Sequence, residues 1–147
     1  MGKRTAVSEE ATARYAADVA LAGQFDDLFA NAQTAEQALR DAQAHRAPDE
    51  ELHRRGMALD GALTDVMRAG FAAQRAEIGP QGYDDRIYRR KAMAKSNVRA
   101  WTMEAERLLT LRESHRLTGI VPLPRRAGPD PSDAPGGLVS PDEPALT

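Results

Sequence analysis

Six cations fall within one short stretch, Arg86-Ile87-Tyr88-Arg89-Arg90-Lys91-Ala92-Met93-Ala94-Lys95-Ser96-Asn97-Val98-Arg99-Ala100-Trp101, and no acid interrupts them, although the formal net charge of the chain is -2. Guanidinium and ammonium groups gathered in this way suit a phosphate backbone, a contact that is salt-sensitive and blind to base sequence. At about 100° per helical residue, Lys91, Lys95 and Arg99 share one stripe and Tyr88 lies on its line. Arg86 and Arg90 fall on the opposite edge of the apolar seam, and Arg89 points away from both groups. Tyr88, Arg89, Arg90, Lys91, Lys95 and Arg99 are therefore the candidate nucleic-acid contacts. The competing reading is that these charges solvate a helix and pair with acids elsewhere in the chain.

No other residue group has the spacing of a reaction centre. Glu50-Glu51-Leu52-His53 holds a single Glu-x-x-His, the helical spacing of carboxylate di-iron sites, which need a second copy and two further carboxylates. His45, His53 and His115 stand apart from one another, and the absence of Cys excludes thiolate ligands and thiol nucleophiles. Phosphate-cradling Gly loops, nucleophile elbows and HExxH pairs are absent as well. The expectation is a protein that is not an enzyme and carries no metal or cofactor.

Three long helices are expected to position the cations. Ser8, followed by Glu9 and Glu10, reads as a capped start that suits the helix dipole. Ala11, Tyr15, Val19, Ala22, Phe25, Phe29, Ala32 and Leu39 then recur at helical spacing, giving a first helix over 8–45. Thr34-Ala35-Glu36-Gln37 has the capping-box pattern and marks a place where this helix can stop near Asn31 and restart, and Gly23 weakens its interior. Pro48-Asp49-Glu50-Glu51 opens a second helix over 49–78, with Leu52, Leu59, Leu63, Val66 and Ala73 on its seam. Gly56 and Gly70 lie on the same stripe; together with Gly61 they suggest close approach to a neighbouring helix.

Gly79-Pro80-Gln81-Gly82 is a turn, after which a third helix is predicted over 84–117, about 51 Å long. Ile87, Ala94, Trp101 and Leu108 repeat every seven residues along it, with Val98 and Ala105 between them. Lys91 and Arg112 continue that second column, where their aliphatic stems can cover the core edge. Nine Lys or Arg against five Asp or Glu make residues 82–118 the one basic segment. A helix-turn-helix can be outlined at Gln74-Arg75-Ala76-Glu77-Ile78-Gly79-Pro80-Gln81-Gly82 with the basic helix behind it, but a helix of such length is a poor recognition helix.

Aromatic residues are 5% of the chain, and Ala far outnumbers Val and Ile. This balance favours helix over sheet, so the fold class is all-α: three long helices in an antiparallel bundle or coiled-coil-like arrangement. A helical domain over 1–118 would be followed by a Pro- and Gly-rich tail over 119–147, disordered or extended, from which Ile120, Val121 and Leu123 could dock as an arm. No segment approaches a membrane span and no apolar run follows the N-terminal charges, so a soluble, cytoplasmic protein with no membrane partner is expected.

Val98-Arg99-Ala100-Trp101 through Glu106-Arg107-Leu108-Leu109-Thr110-Leu111-Arg112-Glu113-Ser114-His115-Arg116-Leu117-Thr118-Gly119 resembles the C-terminal helix of many bacteriophage small terminase subunits, in which a helix rich in Leu and Arg ends at an Arg-x-x-Leu-x-Gly-like stop before a Pro-containing tail. The resemblance covers residues 98–119 only. It implies a homo-oligomeric ring that binds viral DNA and hands it to a large packaging motor. Members of that family commonly carry an N-terminal helix-turn-helix, which this sequence lacks. The alternative expectation is a structural or adaptor protein, such as a virion component, that binds protein partners through its helices and tail.

Overall fold

The computed structural model describes residues 6–118, whose regular structure is entirely α-helical. Six helices stand where three are expected: α1 (Glu9–Ala22), α2 (Phe25–Ala44), α3 (Asp49–Ile78), α4 (Gln81–Asp84), α5 (Arg86–Ala92) and α6 (Ser96–Thr118). The expected tail over 119–147, with Ile120, Val121 and Leu123, lies outside the described residues. Among the described residues, no helix is long and apolar enough to cross a membrane.

Ser8 begins α1 as its sequence context predicts, its Oγ accepting the Ala11 N–H at 3.0 Å. The first long helix does break, but at Gly23 and Gln24 rather than near Asn31. Glu36 and Gln37 make no cap; they reach one turn onward, to Arg40 at 3.1 Å and Asp41 at 2.9 Å. A cap is worth about 1 kcal/mol. That is less than the burial of the continuous stripe Phe25, Phe29, Ala32 and Leu39, which holds α2 unbroken against α3.

Helix α3, about 45 Å long by its rise per residue, is the axis of the fold, with α1, α2 and α6 packed against it. Arg75 binds Asp18, and Phe25 lies beside Gly70, so α1 and α2 run in succession antiparallel to α3. Helix α6 is antiparallel to α3 as well: Gln74 meets Thr102 at 2.7 Å, Arg112 meets Thr64 at 3.2 Å and Arg116 meets Asp60 at 2.6 Å. Leu59, Leu63, Val66, Ala69 and Leu108 fill the space between, joined by Phe25 and Phe29. Trp101 closes one end edge-to-face on Phe25, ring centroids 5.1 Å apart.

Only one of the three α3 glycines serves close packing. A Cβ on Gly70 would lie 3.2 Å from Ala105 Cβ and 3.5 Å from Phe25 Cε1, whereas Gly56 and Gly61 have nothing within 4 Å of that position. The end of α3 has its own requirement, since Gly79 sits at φ 103°, a backbone state L-residues rarely adopt.

The third predicted helix is the largest departure. One turn of helix, α4, precedes α5, and residues 93–95 separate α5 from α6, so the straight rod over 84–117 does not form. Its seam holds only in the second half, where Val98, Ala105 and Leu108 are buried and Trp101 is half-buried. In the first half, Ile87 is 67% exposed and Ala94 is exposed, while Ala92, off the predicted seam, is buried at 3%. Lys91 is exposed and covers no core edge, although Arg112 does, reaching Thr64 across α3.

Candidate nucleic-acid interface

The basic residues are carried by α5, the turn after it and the first turn of α6, and a small second core holds these in place. Ser8 fixes α4 by donating from its backbone N and its Oγ to Asp84, at 2.8 and 2.9 Å. Asp85 then starts α5, its carboxylate accepting the Tyr88 N–H at 2.9 Å. Ile78, Ala92 and Val98 pack together, with Tyr88 and Met93 against them. Because Ala92 and Val98 are six apart, a straight helix would turn them about 120° away from each other. The chain bends to bury both: Ala94 N donates to Lys91 O at 3.2 Å, Lys95 N to Ala92 O at 3.0 Å, and the α-ladder resumes with Arg99 N to Lys95 O at 2.9 Å. Gln74 of α3 spans the bend, within 3.7 Å of Met93 Sδ and 2.7 Å of Thr102 Oγ1.

A short helix, a three-residue turn and a longer helix therefore lie inside the segment expected as one rod. That arrangement lies beyond Gln74 to Gly82, where the sequence outlines a helix-turn-helix and where α3 ends at Ile78 and α4 begins at Gln81. The interruption also alters the grouping of the predicted contacts. Tyr88 is half-buried against the second core and leaves the stripe. Arg89 turns back toward α4, its Nη1 donating to the Gly82 carbonyl at 3.0 Å. Arg86 and Arg90 border a groove of about 470 Å³ shared with Asp84, Asp85, Val7 and Ile87. Lys91, Lys95 and Arg99 are exposed around the bend.

None of the ion pairs among the described residues uses Arg86, Arg90, Lys91, Lys95 or Arg99. The acids of α1 and α3 that bridge between helices are taken by other arginines: Asp18 by Arg75, and Asp60 by Arg116. These pairs leave the α5–α6 bend open to solvent. No protein-family model, curated protein or solved structure matches the chain.

A second constellation, invisible at the level of sequence spacing, lies between α1, α3 and α4. Arg75 grips Asp18 through both Nε and Nη2, at 2.8 and 3.1 Å, and the Tyr83 hydroxyl donates to the same carboxylate. Burial alone would push the Asp18 carboxyl up; the Arg75 and Tyr83 hydrogen bonds, with the nearby charges of Arg75 and Arg14, outweigh it and hold the group below the usual Asp range. Burial and the Asp18 partner push the Tyr83 hydroxyl well above the ordinary tyrosine range, so it remains a proton donor. The only advance signal was helical register: Arg14 and Asp18 are one turn apart, hence on one face of α1.

Two of the three histidines bond backbone, and His53 borders a pocket with His115. His45 Nδ1 lies 2.7 Å from the Asp41 carbonyl at the end of α2, and His115, 9% exposed, has Nε2 2.9 Å from the Gly56 carbonyl of α3. Glu50 and His53 are exposed on the first turns of α3.

Proposed function

We propose that this chain is a non-enzymatic helical protein that assembles with copies of itself and contacts DNA through the bend between α5 and α6. In this reading α1–α2, α3 and α5–α6 serve as three limbs of one antiparallel bundle in a cytoplasmic protein. One observation carries the DNA contact: Arg86, Arg90, Lys91, Lys95 and Arg99 are exposed and take part in no ion pair among the described residues. Internal pairing was the competing fate for these charges, and the interhelical acids Asp18 and Asp60 are bound to other arginines. The contact is to phosphates, with Tyr88 and Arg89 bracing α5 rather than touching DNA. The likeness of residues 98–119 to small terminase subunits supports a genome-packaging role, with a large motor protein as the further partner. Exposed apolar side chains on three helices, Val19, Met57, Met103 and Leu117, supply surface for self-assembly.

Duplex DNA titrated at several salt concentrations tests the proposal, with particle mass measured in the same samples. Five phosphate contacts per copy give a slope of log affinity against log salt of about −4.5, and replacing Lys91, Lys95 and Arg99 by Gln should reduce it to about −1.8. No binding at low salt, or a slope unchanged by the three replacements, overturns the DNA contact. Monomeric mass with and without DNA overturns the assembly. The second reading, a structural or adaptor protein, is favoured by Ile87 at 67% and Val7 at 37% exposure beside one groove. Under it, the same titration shows no DNA affinity.

A further inference from the structure

Arg14, Arg75 and Arg89 come from three different helices, α1, α3 and α5, yet border one pocket of about 420 Å³. Its volume is in the range of small-molecule sites. Three arginines and one carboxylate, that of Asp18, line it, and the carboxylate is already engaged. It accepts two N–H bonds from Arg75 and the hydroxyl of Tyr83, which leaves it little capacity for Arg14 or Arg89. Arg89 spends one donor on the Gly82 carbonyl, a bond that steers its guanidinium back toward the pocket, and Arg14 makes no ion pair among the described residues. The pocket thus presents unused guanidinium donors of net positive charge over an apolar lining that includes Ala17 and Ile78.

We infer that this pocket binds a phosphate monoester, its phosphoryl group held by Arg14 and Arg89 and its organic body laid on Ala17, Ile78 and the ring of Tyr83. Planar guanidiniums match phosphate oxygens in pairs, which ammonium groups do not. Arg75 is a positioning residue here: clamped by Asp18, it adds positive field and fixes Tyr83 as the wall between α1 and α4. The site is distinct from the cations of the α5–α6 bend and stands whether or not the bend meets DNA. Arg89, grouped with that bend by sequence, belongs to the pocket.

Phosphate chemistry could reach the pocket on a free ester or on a nucleic-acid backbone, and the experiment separates them. Phenyl phosphate, inorganic phosphate and a short DNA duplex are titrated into the full chain while the ring resonances of the three tyrosines are followed by NMR. Phenyl phosphate should shift Tyr83 at roughly millimolar concentration, and bind more tightly than inorganic phosphate because its ring meets the apolar lining. Arg14→Gln or Arg89→Gln should weaken it about tenfold, Arg14→Lys less, and Lys95→Gln or Arg99→Gln should leave it unchanged. Helical circular dichroism of each variant establishes that α1 and α5 still form. A Tyr83 response to DNA alone assigns the pocket to a backbone phosphate and overturns the free ester. No response to any of the three, or a response indifferent to Arg14 and Arg89 in folded variants, overturns the site.

Discussion

Gly70 is where two opposing effects of one methyl group can be weighed. An alanine in a helix interior is favoured over glycine by about 1 kcal/mol. At Gly61, where nothing lies within 4 Å of an added Cβ, Gly61→Ala should realise that gain in full. At Gly70 the same Cβ would lie 3.2 Å from Ala105 Cβ and 3.4 Å from Ala105 Cα, so α6 must yield by a few tenths of an ångström. Phe25 Cε1, 3.5 Å from the same position, is already in van der Waals contact. Overpacking of this kind costs about 1–3 kcal/mol, so Gly70→Ala should lie between neutral and about 2 kcal/mol destabilised. The two variants should differ by about 1–3 kcal/mol in urea unfolding followed by helical circular dichroism at one protein concentration. Combining Gly70→Ala with Ala105→Gly moves the methyl across the gap and should recover part of the loss as a favourable coupling energy. If Gly70→Ala stabilises as much as Gly61→Ala, then α3 and α6 do not pack at this distance.

Gly79→Ala should cost about 1–3 kcal/mol although space is open around it, because the penalty lies in the φ of 103° and not in contacts; the same urea titration reads it. Asp18 and Asp60 are both held below the ordinary Asp value of 3.8, so each contributes stability that is present above that value and lost as pH falls through the lowered folded-state value. Asp18→Asn with Asp60→Asn should therefore lower stability near neutral pH and flatten its fall from about pH 4 downward, measured as thermal midpoints across an acid series.

Two helix starts, those of α1 and α3, were legible in the sequence because each is local. Ser8 with Glu9 and Glu10, and Pro48 with three acids after it, settle their boundaries within one turn. The core of α2, α3 and the second half of α6 was legible from spacing. What escaped reading depended on distant partners. Lys91-Ala92-Met93-Ala94-Lys95 is rich in strong helix formers, and propensity alone carries a helix straight through it. The bend forms there because Ala92 and Val98 both bury against Ile78, and Gln74 bonds across it. Ile87, expected in the seam, was consequently turned outward. The cations were visible as a group, but their division between bend and pocket follows from Arg89 meeting Gly82. Asp18, Arg75 and Tyr83 are separated by 57 and 65 residues, and no local pattern joins them.

The antiparallel register of α3 and α6 gives the molecule two poles. Ser8 is tied to Asp84 at the pole that carries the bend, whereas Thr118 ends α6 beyond the pairing of Arg116 with Asp60, at the opposite one. Nineteen residues of helix separate Arg99 from Thr118, about 29 Å of axial distance. The two ends of the described helices, near Ser8 and at Thr118, therefore lie at opposite poles. Copies standing side by side, as proposed, would display their cations on one rim and Thr118 on the other, so that what is held at one rim need not compete for room with what is recruited at the other.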